Sequence, residues 1–160
     1  MKRIVLTGAA GRLGSYLREP MTKLADELVS TDIADNIGKL YPGERYMKGD
    51  LASLDDMMAV LEGADMVVHF GAYADEGPFD KLLGPNFIGA YNIWEAAYQQ
   101  GLRRVVYASS IHAVGMHPKN EFIDTKVAHR PDTVYGLAKC FAEGLGSMYL
   151  DQRGLVRVPI

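Results

Sequence analysis

The sequence of 160 residues predicts an α/β fold, a doubly wound parallel sheet in three layers with helices on both faces. Three observations carry this expectation. Apolar runs and amphipathic stretches alternate along the whole chain, as parallel strands joined by crossover helices do. The first run, Ile4-Val5-Leu6, is apolar at every position, which suits a strand buried on both faces. It passes through Thr7 into a glycine-rich turn that opens a helix.

The elements follow in order. Residues 12–24 place Leu13, Leu17, Met21 and Leu24 at helical spacing, with Pro20 expected to disturb the middle. A second strand over 27–31 runs into Asp32. A loop through Asn36-Ile37-Gly38 and Pro42-Gly43 leads to a short third strand near 45–48, then Gly49-Asp50-Leu51. Ser53 followed by Asp55 and Asp56 reads as an N-cap with acids in the first turn. That helix carries Leu54, Met57, Met58 and Leu61 to a stop at Gly63. A fourth strand spans 65–70, a loop 71–78, and a long helix 79–100. The fifth strand, 103–108, ends in Ser109-Ser110. Residues 111–132 read mostly as loop, 133–153 as a helix and 155–158 as a sixth strand. Right-handed crossovers and a strand order of 3-2-1-4-5-6 put the ligand crevice beside the first and fourth strands.

Composition narrows the function classes. The length suits one domain over residues 1–160. A net charge of -3 and a pI near 5.8 argue against a nucleic-acid surface. No apolar run approaches the roughly 20 residues that span a bilayer, so no membrane is expected. Met1-Lys2-Arg3 leads directly into a core strand, leaving no room for a cleaved leader. The single cysteine, Cys140, fits a reducing compartment, and the cytoplasm is the default. His117 and His129 lack partners at metal spacing, so no metal is expected. His69 reads as a packed core histidine, and Tyr91, Trp94 and Tyr98 read as packing.

Gly8, Gly11 and Gly14 recur as G-x-x-G-x-x-G, one residue wider than the common dinucleotide fingerprint. The turn formed by Gly8, Ala10, Gly11, Arg12, Leu13 and Gly14 presents backbone N–H groups with few side chains in the way. Together with the helix dipole they suit a pyrophosphate. Asp32, with Ile33 beside it, ends the second strand 18 residues beyond Gly14. An acid there accepts hydrogen bonds from both ribose hydroxyls and repels a 2′-phosphate, favouring NAD over NADP. Its bland reading is an exposed loop aspartate. Asp50-Leu51 and Gly71-Ala72-Tyr73 end the next two strands, where adenine and its ribose would lie, or they are turn chemistry alone. Tyr135 and Lys139 lie four apart on one helix face. An adjacent ammonium and a positive nicotinamide would lower the phenol's pKa and make it a base. Ser110, at the mouth of the fifth strand, is placed to hold the substrate hydroxyl.

Taken together, TGAAGRLG, Asp32, Gly49-Asp50-Leu51, Asn86 in NFIGAYNIWEAA, Ser110 in ASSIHAVG and Tyr135-Gly136-Leu137-Ala138-Lys139 resemble the extended short-chain dehydrogenase/reductases. The resemblance spans nearly the whole chain and implies a Rossmann fold. HFGAYADEGPF, ASSIHAVG and RPDTVYGLAKCFAE are most similar to the NAD-dependent uronate dehydrogenases, which oxidise the C1 hydroxyl of a hexuronate to an aldarolactone. The resemblance makes Ser110, Tyr135 and Lys139 the catalytic set and counts Asn86 with the cofactor site; its other reading is a helix-packing amide. Ala74, Ser110, Ile111, His112 and Tyr135 would meet the substrate, with His112 facing its carboxylate. Ala74 and Ile111 stand where the uronate enzymes carry polar residues. It also implies a substrate-binding region beyond Val158-Pro159-Ile160. The 160 residues alone are therefore expected to bind NAD and to turn over uronate very slowly or not at all. The alternatives are a sugar-nucleotide epimerase or dehydratase, and a catalytically silent NAD-binding module. A homodimer is expected through the helices at 79–100 and 133–153. Both carry apolar residues on more than one face, and many family members pair there.

Overall fold

The computed structural model describes residues 1–159; Ile160, where the sequence reading closes the last strand, lies outside the described residues. Strands β1 (Arg3–Thr7), β2 (Glu27–Asp32), β3 (Glu44–Lys48), β4 (Met66–His69), β5 (Arg104–Tyr107) and β6 (Val156–Pro159) form one sheet in the order β3-β2-β1-β4-β5-β6. Every pair is parallel. The order reverses between β1 and β4, where Thr7 is in register with Thr31 on one side and His69 on the other. Ligand crevices of open α/β sheets form at such a point.

Alternate residues of the central strands enter different cores, as the two-residue period requires. Val5, Val29, Val67 and Val105 pack with Met57, Leu61, Ile93 and Trp94, beneath α2 (Leu54–Leu61), α4 (Gly89–Gln99) and α5 (Val134–Arg153). Ile4, Leu6, Leu28, Met66 and Val68 pack on the other face with Met21 and Leu17 of α1 (Arg12–Met21). The three-layer expectation is met.

Two helices differ from the sequence reading. Pro20 lies inside the last turn of α1 and does not break its middle; the helix ends one residue later, at Met21. Leu24 and Leu13 are exposed, so neither belongs to the buried stripe. The long helix at 79–100 is three pieces: α3 (Phe79–Leu82), a π turn at Leu83–Ile88, and α4. Pro85, inside the π turn, has no N–H to donate, and the N–H of Gly89 bonds back to Gly84 O. Gly89 also leaves room for Leu51: a Cβ there would stand 2.7 Å from that of Leu51.

Of the residues expected on the uncovered face of the last two long helices, Ile93, Trp94 and Tyr149 are buried in the core. Tyr91, Tyr98, Leu137, Phe141 and Met148 remain exposed, joined by Ile88.

An ion pair fixes the edge of the sheet. Arg18 Nε lies 2.6 Å from Glu44 Oε1, both side chains almost fully buried. Arg18 also donates to the carbonyls of Ile37 and Lys39, and Glu44 accepts from Ser30 Oγ and the Tyr41 N–H. The arginine and these donors outweigh desolvation and hold the Glu44 carboxyl below its ordinary value. Removing one member of a buried pair strands the other, at a cost of about 3–5 kcal/mol. Arg18→Met is expected to lose that much at neutral pH by urea unfolding. Glu44's support is present above the ordinary carboxylate range and is lost as pH falls through its lowered folded value. The gap between variant and native should therefore narrow on acidification.

Candidate active site

The site begins with a backbone constraint at the end of β1. Gly8 has φ +71, and a Cβ there would stand 2.7 Å from Gly71 N. A Cβ on Gly14 would stand 2.0 Å from Gly8 O. At these two positions the chain itself leaves no room for a side chain. Gly11 caps α1 without a side-chain acceptor, whereas Ser53 caps α2 and Thr133 caps α5. The first-turn N–H groups of α1 thus lack the internal acceptor the other two helices have, and they suit an anionic ligand.

This turn floors a cavity of about 890 Å³ lined also by Asp32, Ile33, Asp50, Leu51, Tyr135 and Lys139. Asp32 Oδ2 accepts from the Ala10 N–H at 2.9 Å, and Oδ1 from the Ala34 N–H at 3.2 Å. Tyr46 of β3 donates to the backbone carbonyls of Asp32 and Ala34, bracing the acid from behind. A glycine cradle without room for side chains and a carboxylate beyond it fit the two ends of an adenosine pyrophosphate. Arg12, Leu13, Gly71, Ala72, Tyr73 and Ala74 also line the cavity.

Asn86 is buried in the π turn and holds the backbone of Tyr73 in both directions. Its Oδ1 accepts from Tyr73 N at 2.7 Å and its Nδ2 donates to Tyr73 O at 3.0 Å. The neighbouring cavity wall is Gly84 and Pro85. The structure thus brings Asn86 to the loop that lines the site.

Lys139 is buried on α5 and donates to Ala108 O at 2.8 Å. Its ammonium stands 4.8 Å from the Tyr107 ring and 5.2 Å from the Tyr135 ring. Burial pulls its pKa down to about 8. The Tyr135 phenol is pushed above its ordinary value, by burial first and then by Asp75. The expected lowering joins the ammonium to a positive nicotinamide; without that cation, lost hydration and the nearby carboxylate set the direction. Next to this group, His69 is fully buried, and burial with the Lys139 charge lowers its pKa to about 3. The neutral ring shares a 2.6 Å bond with Thr7 Oγ1, which also accepts from the Gly71 N–H. His69 is the core histidine the sequence suggested, tied to the glycine turn.

Beyond β5, Ala108 and Ser109 line the cavity. Ser109 donates to Glu143, which also meets His129 Nε2 at 3.2 Å. Ser110 caps a short 3-10 turn (Ile111–Ala113) by accepting from the His112 N–H at 3.2 Å, so its own O–H remains available as a donor. Ile111 and His112 border a second cavity of about 350 Å³ with His117, Lys119 and Asp132. Three carboxylates here lie inside HFGAYADEGPF and RPDTVYGLAKCFAE, but the sequence reading assigns them no role of their own: Asp75, Glu76, which accepts from the Tyr135 N–H, and Asp132, bonded to His112. Only the three-dimensional return of the loops at 71–78 and 111–132 to the start of α5 reveals them. Among the described residues no group of three or more His, Cys, Asp or Glu gathers as a metal site, and no helix is long and apolar enough to cross a membrane. Cys140 is half-buried, its Sγ 3.5 Å from Ala113 O.

Comparison with known proteins agrees with this geometry. The model of the NAD dependent epimerase/dehydratase family matches residues 4–158. Uronate dehydrogenase of Pseudomonas putida is 39% identical over 158 residues, covering 99% of this chain and 59% of the relative. The crystal structure of a variant of uronate dehydrogenase from Agrobacterium tumefaciens, complexed with NAD, superposes with a TM-score of 0.94. It is 39% identical and covers 98% of this chain and 59% of that one. A UDP-galactose 4-epimerase superposes with a TM-score of 0.86 at 28% identity, covering 98% of this chain and 54% of that one. The chain thus spans less than two thirds of the length of the relatives it matches.

The buried ammonium supplies a direct measurement. The Lys139 side-chain carbon next to nitrogen is expected to titrate near pH 8 by NMR, while exposed lysines titrate at about 10.4. Lys139→Met should remove that early transition and no other. A Lys139 signal moving with the exposed lysines would show that the ammonium is hydrated.

Proposed function

Because the chain belongs to the NAD-dependent epimerase/dehydratase family, we propose that it is the cofactor-binding part of an NAD-dependent oxidoreductase that oxidises a hexuronate at C1 to an aldarolactone. The observation that carries this reading is a single cavity. It joins a glycine-rich backbone cradle with Arg12 beside it, the Asp32 carboxylate, and the Tyr135–Lys139 pair. The similarity to uronate dehydrogenases supports the choice of sugar acid.

NAD, when bound, supplies the two-electron oxidising capacity for the sugar carbon. The remaining contributions come from the chain. Backbone N–H groups of the turn from Gly8 to Gly14 bind the pyrophosphate, and Asp32 takes the adenosine ribose hydroxyls. Asn86 orders the loop at Tyr73 through its two backbone bonds. Ser110 donates its O–H to the reacting oxygen, and Tyr135 Oη takes the proton that leaves it. Lys139 faces the phenol ring and favours the phenolate while it carries a proton.

Calorimetry with NAD tests the cofactor half. A charged hydrogen bond contributes roughly 1.5–3 kcal/mol, so Asp32→Ala should weaken NAD about ten- to hundredfold, while Tyr135→Phe stays within a few-fold. Equal affinity of the native chain for NADP would contradict the Asp32 role. Absorbance at 340 nm with hexuronates and nucleotide sugars then tests the substrate. With the substrate region of a relative joined to the chain, hexuronate-dependent NADH formation, abolished in Tyr135→Phe, is the expected result, whereas the 160 residues alone are expected to form NADH very slowly or not at all. Turnover of a nucleotide sugar alone would select the epimerase or dehydratase reading.

The same reading includes a homodimer. Tyr91, Tyr98, Leu137, Phe141 and Met148 leave an apolar face on α4 and α5 that another protein surface must cover. Sedimentation at micromolar concentration is expected to give twice the chain mass; a monomer there would refute the pairing.

A further inference from the structure

The loop at 111–132 folds back so that its two ends meet at the start of α5. Asp132 N donates to His112 O at 3.3 Å, and Arg130 N donates to Ala113 O at 3.0 Å. Within this clasp His112 Nδ1 lies 2.8 Å from Asp132 Oδ1. The imidazole stands edge-on to the Tyr135 ring, 6.1 Å between centroids.

Two glycines make the contact possible. A Cβ on Gly115 would stand 2.2 Å from Asp132 Oδ2, so a side chain there and the observed carboxylate exclude each other. A Cβ on Gly136 would stand 2.1 Å from His112 O and 3.0 Å from His112 Cβ. The pair is therefore seated where the backbone leaves room for it and nothing else. His112 Nε2 makes no hydrogen bond among the described residues, and the ring is 44% exposed. His112 and Asp132 border the smaller cavity, while Tyr135 lines the larger one.

We propose that Asp132 is a positioning residue for His112. Its carboxylate holds the neutral ring as the Nδ1–H tautomer and leaves the Nε2 lone pair to accept a hydrogen bond from a ring hydroxyl of the sugar at Tyr135. The chemistry follows from the inventory of the groups. An ionised carboxylate only accepts, so the nitrogen facing it carries the proton and the other nitrogen does not. Imidazole tautomers in metal and catalytic sites are set in this way by the partner of the second nitrogen. The sugar partner is then a hydroxyl donor, and the carboxylate of a hexuronate is met by other groups. This rests on the proposed oxidation of a sugar acid; the tautomer itself does not.

The test has two independent readouts. Long-range nitrogen–proton NMR of the chain at about pH 8.5, where free imidazoles are neutral, reads the tautomer directly. Native His112 is expected as Nδ1–H. Asp132→Leu and Gly115→Ala should both convert it to the Nε2–H form, the second with Asp132 still present but displaced. Asp132→Asn should retain Nδ1–H, because the carboxamide oxygen still accepts. Thermal unfolding identifies a variant that fails to fold, and the glycine and asparagine variants then carry the comparison. The second readout is hexuronate affinity of the NAD-saturated chain joined to the substrate region of a relative. It should fall about tenfold in Asp132→Leu and stay near native in Asp132→Asn, with NAD affinity unchanged in both. A native Nε2–H tautomer, or an unchanged tautomer in both Asp132→Leu and Gly115→Ala, overturns the proposal. Equal loss of sugar affinity in the leucine and asparagine variants does the same. NAD binding without hexuronate binding, with the tautomer switching as described, supports the Asp132–His112 coupling and sinks the hexuronate reading instead.

Discussion

The close approach of backbone at the end of β1 and β4 is the constraint on which the rest of the site depends. Gly8 and Gly71 touch through main-chain atoms, and Gly14 sits against the carbonyl of Gly8. A fourth glycine, Gly89, lets α4 press on Leu51, while a Cβ on Gly71 would reach the Leu51 side chain at 2.8 Å. These contacts bring the carboxyl ends of three strands and the start of α1 to one place. Thr7 then links them: one hydroxyl bonds both the His69 ring and the Gly71 N–H. A residue with a side chain at Gly8 or Gly14 would fill the space the cradle needs and push β1 from β4 at the reversal of strand order.

The Tyr135–Lys139 end of the cavity is governed by burial rather than by net charge. Lys139 is kept dry between two tyrosine rings and a single carbonyl acceptor, so its proton is held less firmly than in water. The same dryness forbids His69 a charge and raises the phenol of Tyr107. One positive group in such a setting acts at full strength on whatever ionises next to it, because little solvent screens it. Asp75 opposes it at Tyr135. Burial and the Asp75 carboxylate both raise the phenol, and a cationic ring arriving in the cavity would act against them.

How much of this was legible in the sequence depends on whether the signal was local. Strand order, the glycine turn, Asp32, and the spacing of Tyr135 and Lys139 are properties of short stretches, and the structure places all of them at one cavity. The Ser53 cap with Asp55 and Asp56 is of the same kind. What escaped the reading joins distant residues. The buried Arg18–Glu44 pair spans 26 positions and looks in the sequence like two ordinary surface charges. The split of the helix at 79–100 arises from Pro85 and Gly89 meeting Leu51, a contact no periodicity contains. The raised Tyr135 phenol follows first from burial and then from Asp75, whose loop only the fold returns to α5.

The two halves of the cavity are built by different means, and this difference has a consequence for specificity. The cofactor end consists of main-chain groups and one acid braced by Tyr46, so its geometry follows from the sheet itself. Around Tyr135 side chains of the loops and α5 partner one another, Ser109 with Glu143, Glu143 with His129, and His112 with Asp132, and of these Ser109 lines the cavity. A change in the loop at 111–132 therefore alters what the tyrosine is offered without disturbing the cradle. Loops on a rigid parallel sheet permit this division, because the strand ends and α5 hold the glycine turn, Asp32, Tyr135 and Lys139 while the connections between them are free to vary.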